Sequence, residues 1–150
     1  MVPACFTQIG IRSAGVRAAR GCARDQGGQI FTARDLRGLE SPTQLAPLLQ
    51  AVRSGLAAHG QPPLYLSLDS DCLDPAFAPG TGTPGPGCLS SNQVLTLLEE
   101  LATLPFVGMD CVEVAPPYHP AVLTSNAAAT FVWTYLAGQR ARLDPAGACR

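Results

Sequence analysis

Lysine is absent from this chain: its ten basic residues are all arginines, scattered from Arg12 to Arg150, and set against eleven acids they leave a net charge of −1. Without a basic stripe nothing can track a phosphate backbone, which argues against nucleic acid as a partner. The phosphate loop that ends in Gly-Lys-Ser/Thr is excluded because its lysine does not exist here. We read the missing lysine itself as biased codon usage. No run of 18 apolar residues occurs, and the opening Met1-Val-Pro-Ala-Cys-Phe lacks the basic-then-apolar order of a secretory leader. No membrane partner is expected, and the expected location is cytoplasmic. Six cysteines (Cys5, Cys22, Cys72, Cys88, Cys111 and Cys149) include no Cys-x-x-Cys pair or Cys/His cluster, so a zinc ribbon or finger is disfavoured and buried free thiols are expected.

What is present fits one α/β domain over residues 1–150, with 47% hydrophobic residues. Four apolar runs read as strands: Cys5 to Ile11, Gln29 to Thr32, Leu64 to Leu68 and Phe106 to Val114. Ser41-Pro42-Thr43-Gln44 supplies a cap, a first-turn proline and a capping-box glutamine for a helix whose leucines recur up to Gly60. Ser90-Ser-Asn-Gln93 opens a second helix in the same way, ended by Pro105. A third runs from about Thr124 to Leu136 with Gly138 as its stop, and a weaker one spans Arg12 to Arg24. Strands alternating with helices predict right-handed crossovers and a mostly parallel sheet, with ligands bound beyond the carboxyl ends of the strands.

That end of the third strand carries the most informative run: Ser67-Leu-Asp69-Ser-Asp71-Cys-Leu-Asp74-Pro75, followed by a loop to Thr83-Pro84. Strand alternation puts Asp69 and Asp71 on one face, roughly 6–7 Å apart. Two carboxylates that close repel unless a cation lies between them or one is protonated. Such a pair fits either a cation site or turn capping, and Asp74 before Pro75 reads as a turn cap. Oxygen-only ligands suit manganese or magnesium better than zinc or copper, and two such ions could carry a bridging hydroxide at neutral pH. Glu113, at the end of the fourth strand, fits either an arginine pair of structural purpose or a planar guanidinium ligand.

Other signals are weaker. Gly80-Thr-Gly82-Thr-Pro84-Gly85 matches a dinucleotide fingerprint formally, but no strand precedes it directly and no helix opens inside it. His59 reads as an ordinary helix-end histidine and His119 as a loop residue. No serine or cysteine nucleophile with a histidine base is visible, so no catalytic residue is assigned. Cys72 beside Asp71 is disfavoured as a nucleophile because neighbouring carboxylates raise its pKa.

The run from Asp69 to Thr83-Pro84, together with Val112-Glu113-Val114-x-Pro116-Pro117-Tyr118, Gln8-Ile-Gly-Ile-Arg12 and Phe31-Thr-Ala-Arg-Asp35, resembles the ureohydrolases, and their agmatinase branch more than arginase. The resemblance implies a three-layer α/β/α fold with a mostly parallel sheet, a centre of two manganese ions, and hydrolysis of agmatine or a similar guanidino compound to urea and an amine, as in polyamine metabolism. By matching positions it implies Asp69 and Asp71 as metal ligands, Glu113 as the acid facing the guanidinium, and Thr83 as a pocket-lining residue. The family's other ligands lie in Gly-Gly-Asp-His and Asp-Ala-His-x-Asp motifs that this sequence does not contain. The chain therefore resembles a C-terminal half, expected to be incomplete for catalysis, and an open sheet edge predicts a homo-oligomer. The alternative is a non-catalytic, truncated module or pseudo-subunit that associates with full-length relatives.

Overall fold

A computed structural model describes residues 5–13, 17–119 and 121–144, with the backbone alone for 17–20. Cys149, the first four residues and positions 14–16 of the expected Arg12–Arg24 helix lie outside the described residues. Within them the order is β1 (Thr7–Ile11), α1 (Arg17–Asp25), β2 (Gln29–Thr32), α2 (Pro42–Ala58), β3 (Leu64–Asp69), α3 (Ser91–Leu101), β4 (Phe106–Val112) and α4 (Leu123–Leu143), with short 3-10 turns at Ser70–Cys72 and Pro116–Tyr118.

Both capping boxes form. Ser41 Oγ accepts the Gln44 N–H at 3.3 Å while Gln44 Oε1 accepts the Ser41 N–H at 3.1 Å. Ser90 and Gln93 repeat the exchange at 3.0 and 2.9 Å. Each box satisfies two of the donors that a helix start leaves orphaned. The starts fix the helical phase, so Leu45, Leu48, Leu49, Val52 and Leu56 of α2 share one buried face, as do Val94, Leu97 and Leu98 of α3. With Leu68, Leu73, Leu89 and Phe131 they form the hydrophobic core.

Every strand pairing is parallel, as the alternation of strands and helices predicts. The strands divide into two ladders, β1 with β2 and β3 with β4, and no ladder hydrogen bonds join the two among the described residues. In β3 the alternation expected from the sequence holds to its last residue: Leu64, Leu66 and Leu68 turn toward the core while Tyr65, Ser67 and Asp69 are exposed. The exposed face is apolar in places, with Tyr65 and Val107 62% and 74% accessible.

Three expected boundaries need correction. The strand alternation does not reach Asp71, because the backbone turns into the 3-10 segment after Asp69. β4 ends at Val112 rather than Val114, since Glu113 takes the left-handed conformation at φ 62° and breaks the ladder. Gly138 does not stop α4, which continues to Leu143. Glycine is needed there for another reason: a Cβ at 138 would stand 2.3 Å from the Cβ of Ala102, so its absence lets α4 close onto the end of α3. Gln139 donates to the main-chain oxygens of Ala102 and Leu104, and Tyr135 meets Phe106 edge-on at 5.8 Å, which fixes α4 against β4. Among the described residues no helix is long and apolar enough to cross a membrane.

Candidate functional site

The carboxyl ends of β1, β3 and β4 converge, and the loop from Asp74 to Leu89 is pinned across them. Asp74 acts as the turn cap expected of it: Oδ1 accepts the Ala76 N–H at 3.0 Å and Oδ2 the Gly87 N–H at 2.7 Å. Those main-chain donors hold its carboxyl below the ordinary value of 3.8, against a small opposing effect of burial. The far side of the loop is tied down by the Ala115 N–H to Gly80 O, 2.8 Å, and by the Gly80 N–H to Thr124 Oγ1, 2.7 Å. Gly80 cannot be larger without disturbance, because a Cβ would lie 3.1 Å from Thr124 Oγ1 and 3.3 Å from His119 Cβ. The loop from Asp74 to Leu89 is thus a fixed part of the site.

Asp69 and Asp71 are neighbours with different surroundings. Asp69, exposed at the strand end, caps the 3-10 turn by accepting the Asp71 N–H through Oδ1 at 2.8 Å. Turn formation, one of the two readings open from the sequence, is therefore part of what this residue does. Asp71 points inward. Its Oδ2 accepts the Thr83 hydroxyl and lies 3.8 Å from Arg12 Nη2, while Oδ1 is buried with no aligned hydrogen-bond partner. Burial works to raise the Asp71 pKa, but the Thr83 and nearby Thr81 hydroxyls, the Thr83 main chain and Arg12 together outweigh it and hold the carboxyl below 3.8.

Glu113 is exposed on the other side of the loop. Its φ of 62° is costly for a residue with a side chain. The position opposite is a glycine, Gly82, whose Cβ would stand 3.5 Å from Glu113 Oε2. Among the described residues no arginine pairs with Glu113, so nothing here expresses its structural alternative. Thr83 and Glu113 thus border the same loop, with Asp71 beneath Thr83.

His119 lies beside Gly80 and its Nδ1 is buried without a partner, whereas His59 bonds the Gly55 carbonyl at 2.9 Å at the far end of α2. Cys72 is pushed up to about 12, chiefly by burial and then by Asp69, which removes it as a nucleophile near neutral pH. Three contributors escaped the sequence reading: Arg12, Thr81 and Thr124. Only Arg12 carried a signal, as a charged residue placed directly after a strand's carboxyl end.

The donor chemistry suits a hard cation, and Asp71 Oδ1 is an orphaned acceptor of the kind a cation would satisfy. Even so, no group of three or more His, Cys, Asp or Glu side chains converges among the described residues. Two carboxylates, one of them capping a turn and the other already facing a guanidinium, do not fit a complete two-metal centre.

Set against models of known families, residues 1–138 match the arginase family. An agmatinase of Serratia proteamaculans (strain 568) is 41% identical over 128 residues, which make up 85% of this chain and 37% of that protein. Proclavaminate amidino hydrolase from Streptomyces clavuligerus superposes with a TM-score of 0.72 at 40% identity, covering 91% of this chain and 42% of its own. The agmatine ureohydrolase of Thermoplasma volcanium does so with a TM-score of 0.76 at 27% identity, covering 94% and 44%. The chain spans about two fifths of the length of these relatives.

Proposed function

The chain belongs to the arginase family, and from that premise we propose that residues 1–150 are the C-terminal half of an agmatinase-like hydrolase domain, one that acts on a linear guanidino compound such as agmatine. The observation that carries this reading is Glu113, an acid without an ion-pair partner among the described residues, held in a strained conformation across from a glycine at the carboxyl end of β4. Strain of this kind persists where the surrounding structure enforces it, and it clusters at ligand sites. A carboxylate matches the forked N–H donors of a guanidinium, and Gly82 leaves the approach to Oε2 open. Thr83 would line the same pocket. The names borne by the similar proteins, agmatinase, agmatine ureohydrolase and amidino hydrolase, support the substrate class.

Asp69 and Asp71 would contribute part of a manganese ligand set whose remaining members are not among the described residues. The chain by itself is accordingly expected to bind a guanidino ligand and to release no urea. Titration calorimetry with agmatine, run beside a urea assay in the presence of manganese, tests both statements. Wild-type protein should bind and Glu113→Gln should not. Equal binding by the variant removes Glu113 from the site, and sustained urea release disproves incompleteness.

A second reading is favoured by the bare face at Tyr65 and Val107 and by strands that, among the described residues, pair on one side only. In it the chain is a non-catalytic module that associates with copies of itself or with full-length relatives. Sedimentation of the purified chain as a monomer across concentrations would count against it.

A further inference from the structure

Arg12 follows β1 and carries its guanidinium into the space beside Asp71. Nη1 donates to the Asp71 main-chain oxygen at 2.8 Å. Nη2 donates to the Thr83 main-chain oxygen and, at 3.0 Å, to Thr83 Oγ1, and it lies 3.8 Å from Asp71 Oδ2. Thr83 closes the ring by donating its hydroxyl to that same carboxylate oxygen. One flank of the guanidinium rests on Gly85, where a Cβ would come within 3.1 Å of Nε and 3.3 Å of Cζ. The Arg12 and Asp71 side chains are only 20% and 16% accessible, so the pair is screened far less than a surface ion pair.

We propose that Asp71, Thr83 and Gly85 form a guanidinium cradle that is filled by the chain's own Arg12, which serves as the resident cation of the site and compensates Asp71 where a divalent metal would otherwise be required. Two main-chain carbonyls and a hydroxyl answer donors that only a planar fork presents together, with the Asp71 carboxylate as its ionic neighbour; a compact ammonium on a flexible stem could meet one or two of them. The arrangement also explains how Asp71 stays ionised and part-buried in a chain that offers no three-ligand cluster among its described residues. Its link to the hydrolase reading is that a metal ion reaching Asp71 would have to displace Arg12. The cradle itself stands without that reading.

Chemical rescue tests it. Arg12→Ala is expected to lower Tm by roughly 3–6 °C, the scale for losing one or two net-stabilising hydrogen bonds in a chain of this length. Millimolar guanidinium chloride, far below denaturing concentrations, should restore most of the loss, and equal sodium chloride should not. Adding Asp71→Asn should cost the Arg12→Ala protein little more and should abolish the rescue. Arg12→Lys, which keeps the charge without the fork, should melt between wild type and Arg12→Ala. Should Arg12→Ala not fold unaided, guanidinium-dependent recovery of its far-ultraviolet circular dichroism is the readout. Failure of guanidinium to rescue, additive losses in the double variant, or a wild-type Tm for Arg12→Lys would each overturn the proposal. None of these readouts involves agmatine or urea, so the cradle and the hydrolase reading fail separately.

Discussion

Gly138 sits against Ala102 so tightly that a methyl group at 138 would come within 2.3 Å of the alanine methyl. Gly138→Ala should therefore destabilise the protein although alanine is the better helix former by about 1 kcal/mol. Overpacking costs about 1–3 kcal/mol, so the net loss is expected to be up to about 2 kcal/mol, measured as a lower urea midpoint. A gain in stability would mean that α4 does not approach α3 as described.

Gln93 is 4% exposed and does three things at once. Its Oε1 completes the capping box, and its Nε2 donates to Leu36 O at 2.6 Å and Leu39 O at 2.9 Å. Gln93→Leu keeps the bulk and strands both carbonyls in a buried setting, an expected loss of about 2–3 kcal/mol in equilibrium unfolding.

Glu113→Gly separates stability from recognition. Glycine takes φ 62° without the side-chain penalty that Glu113 bears. After allowing for the looser unfolded chain, the variant should be more stable by roughly 0.5–1 kcal/mol while losing any affinity for agmatine. Thermal melts and calorimetry on one preparation check both halves.

Acid should unfold the protein through its capping carboxylates. Asp74 is held below 3.8 by the Ala76 and Gly87 N–H groups, and Asp35 by the Thr32 hydroxyl and N–H. A carboxyl with a depressed folded pKa contributes stability that is full above 3.8 and is lost as pH falls through its folded value. Urea midpoints should hold steady down to about pH 5 and fall below about pH 4. Asp74→Ala should melt lower at neutral pH and lose less on acidification; equal acid sensitivity would remove Asp74 as a source.

Thiol labelling should distinguish the cysteines by setting. Cys72, pushed up to about 12, should resist Ellman's reagent near pH 8 until the protein unfolds, whereas exposed Cys22 should react at once. Cys72→Ser should leave the fast phase unchanged.

The features legible in the sequence were those set within a few residues. Ser41 with Gln44, and Ser90 with Gln93, declare two helix starts because a capping box is closed by side chains three positions apart. The apolar alternation of Leu64, Leu66 and Leu68 declares β3 because period two is a local property. Gly138 does not declare its role in sequence, because a glycine that ends a helix and one that admits a neighbouring helix look alike until Ala102 is known to face it. The turn after Asp69 was hidden for a related reason: an aspartate's capping bond to the residue two ahead competes with strand continuation, and composition does not show which wins. Arg12 and Thr124 meet the loop through partners far away in the chain, Thr83 at 71 positions and Gly80 at 44. The division of the strands into two ladders is equally non-local.

That division has a consequence for motion. Each strand is bonded along one flank only among the described residues, so amide protons on the other flank are shielded from solvent by side chains alone. Deuterium should enter those positions well before it enters the bonded flanks or the middle of α3. Between the ends of β1 and β3 the two ladders are held together by packing and side-chain bonds, with Gly10 against Leu89 and Cys72 and with Arg12 reaching Asp71 and Thr83.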